Sequence, residues 1–263
     1  MKVIEAIGKG FGVAGKNLGI LAVLFVFNLL WNLVPLLFLG GGKPAVNLGL
    51  TLQILILTII FILINIFIQG GLFGILKDAI ASDEKAVLTN LTKYAKKFYL
   101  RFLGLGLVVF AGIGLAALII GLIFSISLVV KNIIASVAAA GVALILVAIA
   151  LYYLFLLFLS PYVLVIEDAA VFKAMGDSLR FTKNNLLKML GLVALLLLIA
   201  LGIGFIVGIA SGILSFALKG TAFQILTSII TSAVNAYITV IISAAFIAYY
   251  SAHSGAAQKK EAV

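Results

Sequence analysis

Residues 101–168 read RFLGLGLVVFAGIGLAALIIGLIFSISLVVKNIIASVAAAGVALILVAIALYYLFLLFLSPYVLVIED. Between Arg101 and Glu167 this stretch carries a single charge, Lys131. About 20 consecutive apolar residues are enough to cross the hydrocarbon core of a bilayer. Residues 102–130 and 133–166 both exceed that length, and Lys131-Asn132 leaves room between them for a tight turn. Inside lipid a backbone must satisfy its own hydrogen bonds, which a helix does and an open strand does not. The stretch therefore predicts a membrane-embedded helical hairpin.

The same pattern extends in both directions. Further charge-free runs cover about 18–39, 48–76, 189–218 and 221–250, giving six predicted spans. Several approach 30 residues, or about 43 Å at 1.5 Å per residue, so they must tilt or project beyond the hydrocarbon. Pro35 and Pro161 fall near span ends, where a local kink is tolerated. Composition agrees: 65% of the 263 residues are hydrophobic, 10% are charged, and the mean hydropathy is +1.37. A soluble domain carries about 25% charged residues. Lys2, Lys9 and Lys16 precede the first run much as in a secretory leader. That run is longer than a leader's apolar core and lacks a small-x-small cleavage site, so it is expected to remain as a span.

Charge distribution predicts the topology. Fifteen of the eighteen Lys and Arg, and all eight Asp and Glu, fall in the N-terminal segment, the 77–101 and 167–188 loops and the C-terminal tail. Lys43, Lys131 and Lys219 sit one each in the three short connections on the other side. Positive charge marks the cytoplasmic side. Both termini are thus expected in the cytoplasm, with the protein in the cell (plasma) membrane. The expected layout is one six-helix domain over 1–250 and a short flexible cytoplasmic tail over 251–263.

Short internal matches divide that domain into three. Lys93-Tyr94-Ala95-Lys96 with Arg101-Phe102-Leu103-Gly104 matches Arg180-Phe181-Thr182-Lys183 with Lys188-Met189-Leu190-Gly191, 87 positions on. Ala6-Ile7-Gly8 with Lys16-Asn17-Leu18 matches Ala174-Met175-Gly176 with Asn184-Asn185-Leu186, 168 positions on. The repeats run over about 1–76, 77–166 and 167–250, each a basic cytoplasmic segment followed by a helical hairpin. The segments are predicted to be amphipathic interfacial helices. In 82–101 Ser82 is expected to cap the start, with Val87, Leu91, Tyr94 and Phe98 on the apolar face. In 168–186 Asp168 is the expected cap and Phe172, Met175, Leu179 and Leu186 the apolar set. At the N-terminus the set is Ile4, Ile7, Phe11 and Leu18, in a helix weakened by five glycines between Gly8 and Gly19. Basic faces of this kind suit anionic headgroups, with Lys93, Lys96, Lys97, Arg101, Arg180, Lys183 and Lys188 as the candidate contacts.

Residues able to do chemistry are scarce. No span has an ionisable residue in its interior, there is no cysteine, and His253 is the one histidine. Paired carboxylates, metal clusters and a Ser-His-Asp set are all missing from the sequence, so no enzyme, metal or cofactor is expected. Ion-coupled transport is disfavoured as well. What remains is uncharged polarity. Gln224, Ser228, Ser232, Asn235, Thr239 and Ser243 follow one another at steps of three or four, placing them along one side of a helix. Asn65 in the second span and Asn32 in the first add further amides. Such residues either bind helices together or line a polar cavity. Gly204, Gly208 and Gly212 in the fifth span, and Gly70 and Gly74 in the second, repeat the spacing that lets helices approach closely.

The stretch Ser160-Pro161-Tyr162-Val163-Leu164-Val165-Ile166-Glu167-Asp168, followed by Ala174-Met175-x2-Ser178-Leu179 and Lys183-Asn184-Asn185, resembles a group of prokaryotic six-span proteins. That group includes the membrane domain attached to some glycerophosphodiester phosphodiesterases and stand-alone archaeal relatives. The resemblance implies a helical membrane domain without catalytic residues. The phosphodiesterase barrel is not in this sequence, so its activity is not carried over. The expected role is a non-catalytic membrane module that interacts with lipids and assembles with itself or a partner. The alternative is a channel or carrier for a small neutral solute along the polar face of the sixth span. Expected partners are anionic lipids on the cytoplasmic side and a second copy of the chain, with no nucleic acid.

Overall fold

A computed structural model describes residues 1–39, 48–130 and 133–254. Lys43, Lys131 and the tail beyond 254 lie outside the described residues. The described chain is helical throughout: α1 (Val3–Lys16), α2 (Leu18–Leu39), α3 (Leu48–Ser82), α4 (Asn90–Val130), α5 (Ile133–Leu157), α6 (Ser160–Ile166), α7 (Val171–Asn184), α8 (Leu186–Ala217) and α9 (Gly220–His253). Five stretches are long and apolar enough to cross a bilayer: α3, α4, α5 with α6, α8 and α9. A sixth is added if α1 and α2, which meet at a bend of 84°, count as one broken span. Mid-helix side chains such as Leu55, Phe110, Leu144, Leu197 and Phe205 are exposed. Leucine and phenylalanine in these numbers on the outside suit hydrocarbon as the solvent. The architecture is that of a multi-pass membrane protein.

Local chemistry explains where the helices stop. Pro161, without an N–H to donate, sits in the first turn of α6, where the fourth predicted span breaks. Gly220 takes the left-handed conformation, with φ 63°, in the tight turn from α8 to α9.

Ser82 and Asp168 do not have their expected roles. Ser82 is the last residue of α3, its hydroxyl donating back to the Asp78 carbonyl at 3.0 Å. Asp83 follows with φ 54°, a left-handed stop. Helix α4 starts only at Asn90 and continues without interruption into its span. Ser-Asp-Glu suits a helix start, but the same residues serve as the exit from the preceding helix. Asp168 is likewise left-handed, with φ 53°, and the residue flanking α7 is Ala170, which forms no side-chain cap bond.

The chain forms two compact units, Met1–Tyr99 with Leu187–Val263 and Leu100–Leu186. In the first, α1, α2 and α3 all pack on α9, and the first turns of α4 pack on α3. The buried side of α1 is Ala6, Ile7, Gly10 and Ala14. Ile4, Phe11 and Leu18 from the expected apolar set are exposed, so the inward stripe of α1 is its small residues. Gly10 shows why: a Cβ there would lie 2.6 Å from the Ile241 carbonyl oxygen of α9. The glycines read as weakening α1 include the one that allows it to dock.

In the second unit α7 packs on α5 and α6 through Ala174, Ser178 and Thr182. The Ser178 hydroxyl donates to the Leu156 carbonyl at 2.8 Å, satisfying a group freed by the break after α5. Phe172, from the expected apolar set of this helix, is 75% exposed.

Candidate functional site

An asparagine follows each of the two amphipathic segments that form separate helices, α1 and α7. Asn17, 5% exposed, follows α1, and its Nδ2 donates to the Val13 carbonyl at 2.7 Å. Asn185 follows α7 and donates in the same way to the Phe181 carbonyl at 3.1 Å. At Asn17 the side chain takes the carbonyl four residues back that a continuing helix would need, whereas at Asn185 the side chain shares the Phe181 carbonyl with its own backbone N–H, 3.0 Å away. Asn17 also accepts the Ala86 N–H at Oδ1, 2.6 Å, tying the α3–α4 loop to the α1–α2 corner. The residue 87 positions before Asn185 is Phe98. Phenylalanine cannot make this bond, and α4 runs straight through.

The packing of that continuous segment accounts for Gly70 and Gly74. A Cβ on Gly70 would lie 3.5 Å from the Phe98 side chain, on Gly71 2.6 Å from the Leu91 carbonyl oxygen, and on Gly74 in the Tyr94 ring. The Tyr94 hydroxyl donates to the Asp78 carboxylate. Leu91, Tyr94 and Phe98 thus face inward as their spacing predicts, while Val87 precedes the helix and is exposed. Gly204, Gly208 and Gly212 differ: a Cβ on any of them would meet nothing within 4 Å, so this face of α8 is open among the described residues.

The polar residues of α9 do not share one environment. At about 100° per residue, Gln224 and Asn235 lie within about 20° of each other, Ser228 and Thr239 at about 40–60°, and Ser232 and Ser243 at about 80–100°. Exposure follows that rotation. Gln224 and Asn235 are exposed, Ser228 and Thr239 half-buried, and Ser232 and Ser243 buried. The stripe is an edge between the packed and open sides of the helix. On its packed side Asn32 Nδ2 donates to Ser232 Oγ at 2.8 Å, and Ser232 donates to the Ser228 carbonyl at 2.6 Å, so these residues bind α2 to α9. On the open side Asn235 has no side-chain hydrogen bond among the described residues, and Asn65 of α3 is exposed.

The candidate basic contacts also divide. Arg101 Nη1 holds Asp168 through its Oδ1 at 2.6 Å and its carbonyl at 3.1 Å. It thereby fixes the strained turn before α7, a structural task that spacing did not suggest. Lys93, Lys96 and Lys97 are exposed on the first turns of α4, with Lys97 Nζ 5.1 Å from the Phe98 ring centre. Lys188 is exposed at the start of α8. Arg180 and Lys183, one turn apart on α7, line a cavity of about 330 Å³ together with Tyr152, Tyr153, Leu156 and Leu179. Lys93, Lys96, Arg180, Lys183 and Lys188 have no ion pair among the described residues, so their charges remain available. The two tyrosines were not singled out from sequence, where they lie within the fourth predicted span.

No group of three or more His, Cys, Asp or Glu able to hold a metal occurs among the described residues. A family model described as a domain of unknown function, DUF7847, matches residues 1–254. No curated protein and no solved structure matches the chain.

Proposed function

Starting from a chain that belongs to the DUF7847 family, we propose that the protein is a non-catalytic membrane module that binds anionic lipid headgroups through its basic segments and assembles with itself or a partner. The observation that carries this reading is the set of exposed cations without ion pairs, Lys93, Lys96, Arg180, Lys183 and Lys188, placed where amphipathic segments enter apolar spans. Cations near a membrane surface gain about 1 kcal/mol each from anionic lipid, against little from exposed ion pairs. The membrane is the plasma membrane, and both termini face the cytoplasm.

The three-repeat reading has local support. Helices α1 and α7 begin and end at positions 168 apart, Val3 with Val171 and Lys16 with Asn184. Their buried stripes correspond, Ala6, Gly10 and Ala14 with Ala174, Ser178 and Thr182. So do the asparagines that end them. Assembly is supported by the open Gly204, Gly208 and Gly212 face and by Asn235, whose exposed amide would find a partner in a neighbouring helix.

Asn235 and Gln224 also favour the second reading, a conduit for a small neutral solute, whose remaining wall a neighbouring copy would supply. One experiment addresses both. In vesicles of mixed phosphatidylglycerol and phosphatidylcholine, the wild type is expected to retain phosphatidylglycerol preferentially, by native mass spectrometry of the extracted protein. Neutralising Lys93, Lys96, Arg180, Lys183 and Lys188 together should remove that preference. Equal retention of both lipids by the wild type contradicts the lipid reading. Solute flux above protein-free vesicles, abolished by Asn235→Leu, would favour the conduit instead.

A further inference from the structure

The cavity at Arg180 and Lys183 has a neighbour. A groove of about 450 Å³ runs between α4 and α5, lined by Val109, Gly112, Ala116, Ala150 and Leu154 among others, and by Met175 of α7. Its walls are almost wholly apolar, with Gly112, Ala116, Ala117 and Ala150 among larger aliphatic side chains. Along α4 it extends from Val108 to Ile120, about 18 Å at 1.5 Å per residue. A Cβ on Gly112 would meet nothing within 4 Å. Tyr153 lines both the groove and the basic cavity, so the two lie side by side. All of these residues belong to the Leu100–Leu186 unit.

Each half fits one part of a single molecule. A slot about as long as a lipid tail, without polar walls, suits a hydrocarbon chain and would not hold water, which needs several polar partners. The adjoining cavity offers a guanidinium, an ammonium and two tyrosine side chains, and an arginine fork matches a phosphate in geometry as well as charge. Both volumes fall in the usual range of small-molecule sites, about 300–1,000 Å³. We propose that the Leu100–Leu186 unit holds one phosphate-bearing lipid, its headgroup at Arg180 and Lys183 and one chain in the α4–α5 groove. The proposal rests on the lipid-binding reading and narrows it from a basic surface to a defined site. It also separates Arg180 and Lys183 from Lys93 and Lys96, which match them at 87 positions' distance but line neither this cavity nor this groove.

The test compares variants of the full chain in detergent, titrated with phosphatidylglycerol and read by native mass spectrometry. Arg180→Gln with Lys183→Gln should weaken the tightest bound lipid about tenfold or more, the worth of a charge-assisted bond. Ala116→Leu with Ala150→Leu should block the same site by filling the groove while leaving every charge in place. Lys93→Gln with Lys96→Gln should leave this lipid bound. Phosphatidylcholine should compete poorly, and millimolar inorganic phosphate should fail to displace the lipid, because it lacks the chain. Gly112→Ala adds one methyl to open space and serves as a folded variant with a partly narrowed groove. Loss of lipid only in the Lys93 and Lys96 variant overturns the defined site while the general reading stands. Retention in every variant, with no preference over phosphatidylcholine, overturns both. Displacement by free phosphate, with no effect of groove filling, shows an anion site without a lipid slot and also overturns the proposal.

Discussion

Gly10→Ala is expected to destabilise the protein by about 1–3 kcal/mol, whereas Gly8→Ala and Gly12→Ala in the same helix should leave it unchanged or make it more stable. The new Cβ at position 10 would sit 2.6 Å from the Ile241 carbonyl oxygen and 3.4 Å from the Ala245 methyl. Backbone cannot move aside as a flexible side chain does, so α1 must lift from α9, at the usual cost of overpacking. At positions 8 and 12 the added methyl meets nothing within 4 Å. There the helix gains the propensity difference between glycine and alanine, up to about 1 kcal/mol. Thermal unfolding of the three variants in one detergent reads this change of sign along five residues. Destabilisation by all three would mean that α1 needs flexibility and not close approach.

Asn17→Leu is the second large effect. Leucine keeps the branched outline with bulkier methyl groups but neither satisfies the Val13 carbonyl nor accepts the Ala86 N–H. A buried polar group left without its partner costs about 1–3 kcal/mol, and here two are stranded at a residue 5% exposed. The α3–α4 loop should also loosen, because Asn17 is what holds Ala86. Hydrogen exchange across residues 83–89 should rise in the variant while the α3 interior stays protected. Asn185→Leu makes a useful comparison, since the Phe181 carbonyl keeps the backbone N–H of residue 185 at 3.0 Å and the site is half-buried. A smaller loss at 185 than at 17 is expected; the reverse order would show that the break after α7 carries more of the fold than the corner after α1.

Both effects arise where sequence reading was weakest. Helix existence and span positions followed from charge-free runs, because a run such as 102–130 has no other way to satisfy its backbone in lipid. The turn at Lys219-Gly220 was legible for the same reason. The inward faces of α1 and α7 were not. Hydrophobicity selects Ile4, Phe11 and Phe172, yet these residues are exposed and the contacts are made by Ala6, Gly10 and Ser178. In a membrane protein apolar side chains suit both the lipid and the interior, so polarity no longer distinguishes the buried face and side-chain size does. The Asn17 and Asn185 match was present in the sequence, but its meaning depended on a bond to a carbonyl four residues back. Arg101 with Asp168 and Tyr94 with Asp78 join residues 67 and 16 positions apart, and no periodicity signals such pairs. The polar edge of α9 was legible as a stripe. That Ser232 would be buried against Asn32 while Asn235 stayed exposed depended on where α2 packs.

That the basic segments share one face of the membrane is tested most directly by labelling single introduced cysteines, for which the natural sequence, with no cysteine of its own, is already a clean background. Lys93→Cys and Lys183→Cys should react with a membrane-impermeant thiol reagent only from the cytoplasmic side of oriented vesicles, and Lys219→Cys only from the opposite side. Labelling of Lys183 and Lys219 positions from the same side, or of Lys93 and Lys183 from opposite sides, would contradict the arrangement of the chain as hairpins with a common basic face.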